Sequence, residues 1–270
     1  MYGSTILVAL LGASSTVFAA PAWPQLKSEL TNTAGFDAVS EYFNLLAQKV
    51  DAARLLNFAP ACDVSKAQMP TLSTNPLPPP EEGLVLKHVA IGRGTQNYTC
   101  SGTDAGAAPT LVGAVATLFN ASCVASSYPD LLHALPRLAL QFDLPYSAST
   151  EEAKEEEKKM GPTNLLVSGK HFFRNATTPF FSLDTSRQRI GEAPCSKLNS
   201  SNAPADAPKG RGGEAAVGWL RLGANGDATG NLHQVYRVET AGGSAPATCQ
   251  GMPASFEVQY AAEYWFFASP

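Results

Sequence analysis

The alternation near the C-terminus is the feature of this chain that most restricts its fold. From Phe256 onward, Phe256, Val258, Tyr260, Ala262, Tyr264 and Phe266 take every second position, while Glu257, Gln259 and Glu263 take the others until Trp265 and Phe267. A period of two puts side chains on opposite faces of an extended strand; a helix would scatter them around its circumference. A strand this rich in aromatics needs a neighbour on each side, because as an exposed edge it would template aggregation.

The rest of the chain reads as a protein built around that strand. Charged residues make up only 16% of it, while Gly and Pro contribute 22 and 20 residues, a composition that suits a turn-rich β protein. Apolar runs at residues 84–91, 95–100, 111–119, 165–174, 180–183, 216–222 and 234–240 read as further strands. Between the first two, Gly92 and Gly94 are expected to make a tight turn or bulge. Helical spacing at residues 36–58 predicts one amphipathic helix. A second, short and kinked, is predicted over 128–142, where Pro129-Asp130 begins it and Pro136 interrupts it. Asn75-Pro76-Leu77-Pro78-Pro79-Pro80 excludes helix and reads as an extended linker. The Pro-, Ala-, Gly- and Asn-containing stretch 192–213 reads as an exposed loop, and the charge run 151–159 as a solvated segment. No repeat and no βαβ alternation occurs. The expected architecture is mainly β: a single antiparallel β-sandwich or barrel-like domain over 81–270, with an N-terminal helical extension and one short inserted helix. A helical lead-in and Pro-rich linker over 20–80 precede it.

The N-terminus reads as a signal peptide over residues 1–19, with a short apolar run at 6–11 and Val17-Phe18-Ala19 offering the small residues signal peptidase accepts. No later segment reaches the roughly 18 uninterrupted apolar residues a membrane helix needs. Acceptor sequons at Asn97, Asn120, Asn175 and Asn199 fit a secreted glycoprotein. Of the five cysteines, Cys62, Cys100, Cys123, Cys195 and Cys249, no two have Cys-x-x-Cys spacing, so disulfides are the better reading than zinc or redox chemistry. The odd count leaves one thiol over, and Cys195 is the candidate. A net charge of −4 with no basic stripe argues against nucleic acid as a partner.

Catalytic patterns are incomplete. Ile91-Gly92-Arg93-Gly94-Thr95-Gln96-Asn97 lacks the third glycine of a dinucleotide fingerprint and runs on into strand rather than helix. Ser101-Gly102 and Gly243-Ser244 are fragments of a nucleophile elbow at most. His88, His133, His171 and His233 are dispersed without metal-ligand spacing, so neither a metal nor a cofactor is implied. His171 is the least ordinary of them, since it lies within a predicted strand with Asp184 a short way on, and a His beside a carboxylate can serve as acid, base or ligand. Aromatics on predicted strands, Trp219, Tyr236, Tyr260, Tyr264 and Trp265 among them, would form a sugar-stacking platform if exposed on one face.

The runs His88-Val89-Ala90-Ile91-Gly92-Arg93-Gly94-Thr95-Gln96-Asn97-Tyr98-Thr99-Cys100, Val217-Gly218-Trp219-Leu220-Arg221-Leu222, Val235-Tyr236-Arg237-Val238-Glu239-Thr240-Ala241-Gly242-Gly243 and Val258-Gln259-Tyr260-Ala261-Ala262-Glu263-Tyr264-Trp265-Phe266 resemble the fungal form of the family called domain of unknown function 3455. The resemblance covers roughly residues 84–267. It implies a candidate ligand site at Gln96, Tyr98, His171, Trp219 and Arg237, and a bridge between Cys100 and Cys249 that leaves Cys62 and Cys123 for a second. A malate dehydrogenase label sometimes attached to fungal members finds no support in these residues, which lack the fingerprint and the Rossmann alternation.

The sequence therefore predicts a secreted, disulfide-stabilised binding protein without catalysis, extracellular or wall-associated, with a wall polysaccharide as the partner class. The enzyme alternative is a hydrolase or metal-assisted site around His171. A structural wall or surface protein is the third.

Overall fold

In the computed structural model, the described residues are 33–56, 62–102, 106–142 and 159–270. The predicted signal peptide, and the charge run apart from Lys159, lie outside them. Eight antiparallel strands follow one another around a closed barrel: β1 (Val85–Thr99), β2 (Thr110–Asn120), β3 (Val167–Asn175), β4 (Thr178–Asp184), β5 (Arg189–Ser201), β6 (Trp219–Ala224), β7 (Leu232–Gly242) and β8 (Ser255–Ala268). Closure comes from β1 pairing with β8, from Val85 opposite Ala268 to Thr99 opposite Ser255. The aromatic strand β8 thus has β1 on one side and β7 on the other, leaving no edge.

Two cores result from the alternation. Tyr260, Ala262, Tyr264 and Phe266 point into the barrel, where they meet Leu118, Phe181, Cys195 and Val235. Trp265 and Phe267 point outward into a second core beneath α1 (Thr33–Leu56) and α3 (Pro129–Ala139). Both faces of β8 are therefore buried at its C-terminal end, which is why its alternation gives way there to a continuous apolar run. Helix α3 buries Leu131, Leu132, Leu135 and Leu138, and begins at Pro129, whose missing N–H costs nothing in a first turn. Arg93, pointing outward from β1 and buried, donates to the carbonyls of Ala139 (3.0 Å) and Phe142 (3.3 Å). A cation there satisfies carbonyls that the helix end leaves free.

Several expectations change. Gly92 and Gly94 make no turn; they lie within the single long strand β1, which replaces the two strands expected. A Cβ on Gly92 would stand 2.4 Å from the Tyr264 ring, and one on Gly94 1.8 Å from the Val115 carbonyl oxygen. Glycine is needed for close approach rather than for bending. The loop expected from residue 192 is in large part β5, whose ladder to β6 runs from Cys195 to Ser201. Its exposed Ser196, Lys197, Leu198 and Ser200 carry no apolar alternation, so only backbone pairing defines it. A second inserted helix, α2 (Ser122–Ser127), precedes α3.

The Pro-rich segment does not hold α1 apart from the barrel. Met69, Leu72 and Leu77 pack on the outer core together with Val39 and Tyr42 of α1. Tyr236 donates its hydroxyl to the Pro78 carbonyl at 2.9 Å, and Ser201 to that of Asn75 at 2.6 Å. Disulfides join Cys62 to Cys123 and Cys100 to Cys249, and Cys195 is free and buried.

Candidate functional site

Inward positions on four strands bring together Gln96 from β1, His171 from β3, Arg237 from β7, and Tyr260 and Tyr264 from β8. The two tyrosine hydroxyls are 2.8 Å apart. Burial pushes both phenols above their ordinary range, so they stay protonated as donors and acceptors. Arg237 lies close enough to lean on the titration of Tyr260, Tyr264 and His171. Its Nη2 and Nε donate to the Gly218 carbonyl at 2.8 and 3.3 Å. Among the described residues no carboxylate pairs with this guanidinium, although its residue is only 8% exposed. The Gln96 amide nitrogen approaches the Tyr260 hydroxyl without completing a hydrogen bond, and is left buried with no partner.

His171 stacks on Phe181, with ring centres 4.3 Å apart and planes 11° from parallel. Its Nδ1 is 2.9 Å from the Phe180 carbonyl, and a carbonyl only accepts, so Nδ1 carries the proton. Burial above all, with a contribution from Arg237, lowers the imidazole to about 4. At neutral pH it is therefore uncharged, and its Nε2 lone pair makes no hydrogen bond among the described residues. Such a ring accepts a hydrogen bond and is a weak base.

Asp184 is not beside it. That carboxylate accepts from the Gly191 N–H at 2.7 Å and faces Arg189 at 3.6 Å, so the pairing expected from sequence does not form. Cys195 offers no nucleophile either, since burial pushes its thiol up to about 12. Among the described residues, no three His, Cys, Asp or Glu side chains lie close enough together to hold a metal.

Tyr98 belongs to the same interior region, donating its hydroxyl to the Gly243 carbonyl at 2.8 Å; burial raises its phenol, and nearby Arg237 offsets part of that rise. Trp219 does not. It lies on the outer wall beneath the Pro-rich segment, while its neighbour Leu220 packs against the interior core. The sequence reading placed Tyr260 and Tyr264 only among possible sugar-stacking aromatics and did not group them with Gln96, Tyr98, His171 and Arg237. Their signal was present: two hydroxyl-bearing aromatics on one strand face, separated by Ala262. Trp219, Tyr236, Tyr260, Tyr264 and Trp265 are all buried, so they present no exposed face for sugar stacking, and the large exposed hydrophobics among the described residues are valines and leucines. Of the sequon asparagines, Asn175 is exposed, and Asn97, Asn120 and Asn199 are half-buried.

Fold and site together define a closed up-and-down antiparallel β-barrel with a polar, cationic cluster in an otherwise apolar interior. A barrel of eight strands is wide enough to be filled by side chains or to hold one small ligand. The family model described as "Protein of unknown function (DUF3455)" matches residues 80–268, and the chain belongs to that family. No curated protein and no solved structure matches it.

Proposed function

We propose that this chain is a secreted, non-catalytic binding protein that takes a small anionic ligand, a carboxylate above all, into its barrel. Arg237 carries the reading. A buried charge without a counter-ion costs several kcal/mol after relaxation, and the Gly218 carbonyl and the Tyr264 hydroxyl offset only part of that. A carboxylate would complete the pairing and accept from the unpartnered Gln96 amide and a tyrosine hydroxyl as well. With no carboxylate paired to it among the described residues, the cluster gains from an anion and not from a second cation. The signal-peptide-like start, the sequons and two disulfides support an extracellular setting. An acidic sugar of a wall polysaccharide is one source of such a carboxylate.

Calorimetric titration with glucuronate and benzoate, against neutral glucose, tests this. Saturable binding of a carboxylate, abolished by Arg237→Met, is expected. Glucose binding as well as glucuronate, with Arg237→Met indifferent, would sink it. Conversion of the bound ligand, lost in His171→Ala, would replace it with the enzyme reading.

A further inference from the structure

Both ends of the barrel are closed around the interior cluster. Toward the start of β1 the interior is filled by Ala90, Leu118, Leu183, Leu232 and Phe266, all buried. At the other end the chain turns over the cluster at Gly243, where an added Cβ would stand 3.3 Å from Gln96. That turn is held by Tyr98 on the Gly243 carbonyl, by the Cys100–Cys249 bridge and by the Cys249 N–H on the Ala107 carbonyl at 2.7 Å.

The wall between β2 and β3 differs. β1 pairs with β2 as far as Thr99 opposite Thr110, and β3 with β4 as far as Asn175 opposite Thr178. The ladder between β2 and β3, however, runs only from Phe119 opposite Val167 to Ala116 opposite His171. Residues 110–115 and 172–175 thus face one another across a seam without ladder pairing. It lies at the level of the cluster, because Gln96 stands opposite Ala114. Fewer backbone bonds across it lower the free energy of local opening. Phe173 plugs the seam: its ring centre is 5.8 Å from that of His171, and its side chain lies against Gly113, where an added Cβ would be 3.7 Å away. Phe173 is only half-buried, and Leu111, Val112 and Val115 on the facing strand are exposed, so solvent reaches the outer side of the plug.

We infer that Phe173 is the gate of the barrel: its ring moves out from between β2 and β3 and admits a small molecule to His171 and Gln96. That the molecule is a carboxylate rests on the reading above; the seam does not.

Diethyl pyrocarbonate tests the route on the full chain without any ligand. It acylates a neutral imidazole at a nitrogen lone pair, and His171 Nε2 makes no hydrogen bond among the described residues. Peptide mass spectrometry reads each site, with exposed His233 as the positive control. His88, buried at the filled end between Ser122 and Ser168 at 3.0 and 2.9 Å, reports global unfolding. In the parent, His171 should be labelled faster than His88. In Phe173→Ala it should be labelled about tenfold faster still, since loss of the ring's packing favours the open seam by at least that factor. Phe173→Leu serves if that variant unfolds. Gly113→Cys with Phe173→Cys ties the strands instead, their Cβ atoms being 3.7 Å apart, as a disulfide needs, and should return the rate to the parent's or below. An unchanged His171 rate in the folded Phe173 variants, or His171 labelled no faster than His88, overturns the gate. Saturating glucuronate should protect His171 in the parent. Seam-dependent labelling without that protection supports the gate and removes the carboxylate reading alone.

Discussion

The hydroxyls of Tyr260 and Tyr264 lie 2.8 Å apart inside the barrel, although four positions of extended strand, about 13 Å of backbone, separate their Cα atoms. The two side chains must therefore lean toward each other over Ala262. Gly92, opposite Ala262 on β1, leaves the space that the Tyr264 ring fills. Gly92→Ala puts a methyl 2.4 Å from that ring and is expected to cost about 1–3 kcal/mol of overpacking strain. Urea denaturation checks it, with Gly106→Ala, which meets nothing within 4 Å, as the neutral comparison. Equal midpoints for the two variants would refute the close fit.

The Cys100–Cys249 bridge spans 149 residues and Cys62–Cys123 spans 61. Loop-closure entropy assigns the first about 5 kcal/mol and the second about 4, as upper values. Cys100→Ser with Cys249→Ser should accordingly lower the denaturation midpoint at least as far as the other double variant. In the native protein Cys195 should resist iodoacetamide, because its buried thiol is pushed up to about 12, and should react once urea unfolds the chain. Rapid native labelling would place that thiol at the surface.

What was legible in the sequence follows from which forces leave a local trace. The strand character of β8 could be read from the alternation that one-sided burial writes, and its place between two neighbours from its aromatics, which are buried on both faces toward its C-terminal end. Residues 196–200 of β5 could not, because their strand is held largely by backbone pairing while most of their side chains are exposed. Gly92 and Gly94 misled for a related reason: a glycine that admits a neighbour's ring looks identical, in one dimension, to a glycine that turns the chain. The interior cluster draws on strands far apart in sequence, so no spacing could reveal it. Family resemblance pointed to Gln96, Tyr98, His171 and Arg237, but placed Trp219 with them, whereas strand parity puts that side chain on the opposite face of the wall.

Stability should fall as the pH drops from about 6.5 to about 4. His88 and His171 both have folded values lowered to about 4 by burial, from the ordinary 6.5. Over that interval the unfolded chain takes up protons that the folded one refuses, so their contribution is fully present above 6.5 and lost on acidification. His133 acts in the other direction, because its hydrogen bond to Glu263 raises it, and its contribution is lost as the pH rises. His171→Gln isolates one term: its stability curve should be flatter between pH 6.5 and 4, with a difference from the parent approaching about 3 kcal/mol. Parallel curves would mean that His171 titrates normally and is not enclosed.

Arg237→Met separates a binding residue from a structural one. The substitution removes a desolvated charge that no carboxylate among the described residues answers, and replaces it with an apolar chain of similar length. Against this, the Gly218 carbonyl and the Tyr264 hydroxyl lose their donor, at about 1 kcal/mol for a typical hydrogen bond and somewhat more for a charged one. Relief of several kcal/mol of desolvation outweighs that loss, so the ligand-free variant should be more stable than the parent by about 1 kcal/mol while failing to bind carboxylates. Such an exchange of stability for function is what a site maintained for a ligand shows. The comparison is a urea midpoint in buffer free of carboxylates, with and without added glucuronate. The parent should gain stability from the ligand and the variant should not. If Arg237→Met instead lowers the ligand-free midpoint by more than about 2 kcal/mol, beyond the charged hydrogen bond alone, the guanidinium is a brace for the β6–β7 wall and not a receptor for an anion.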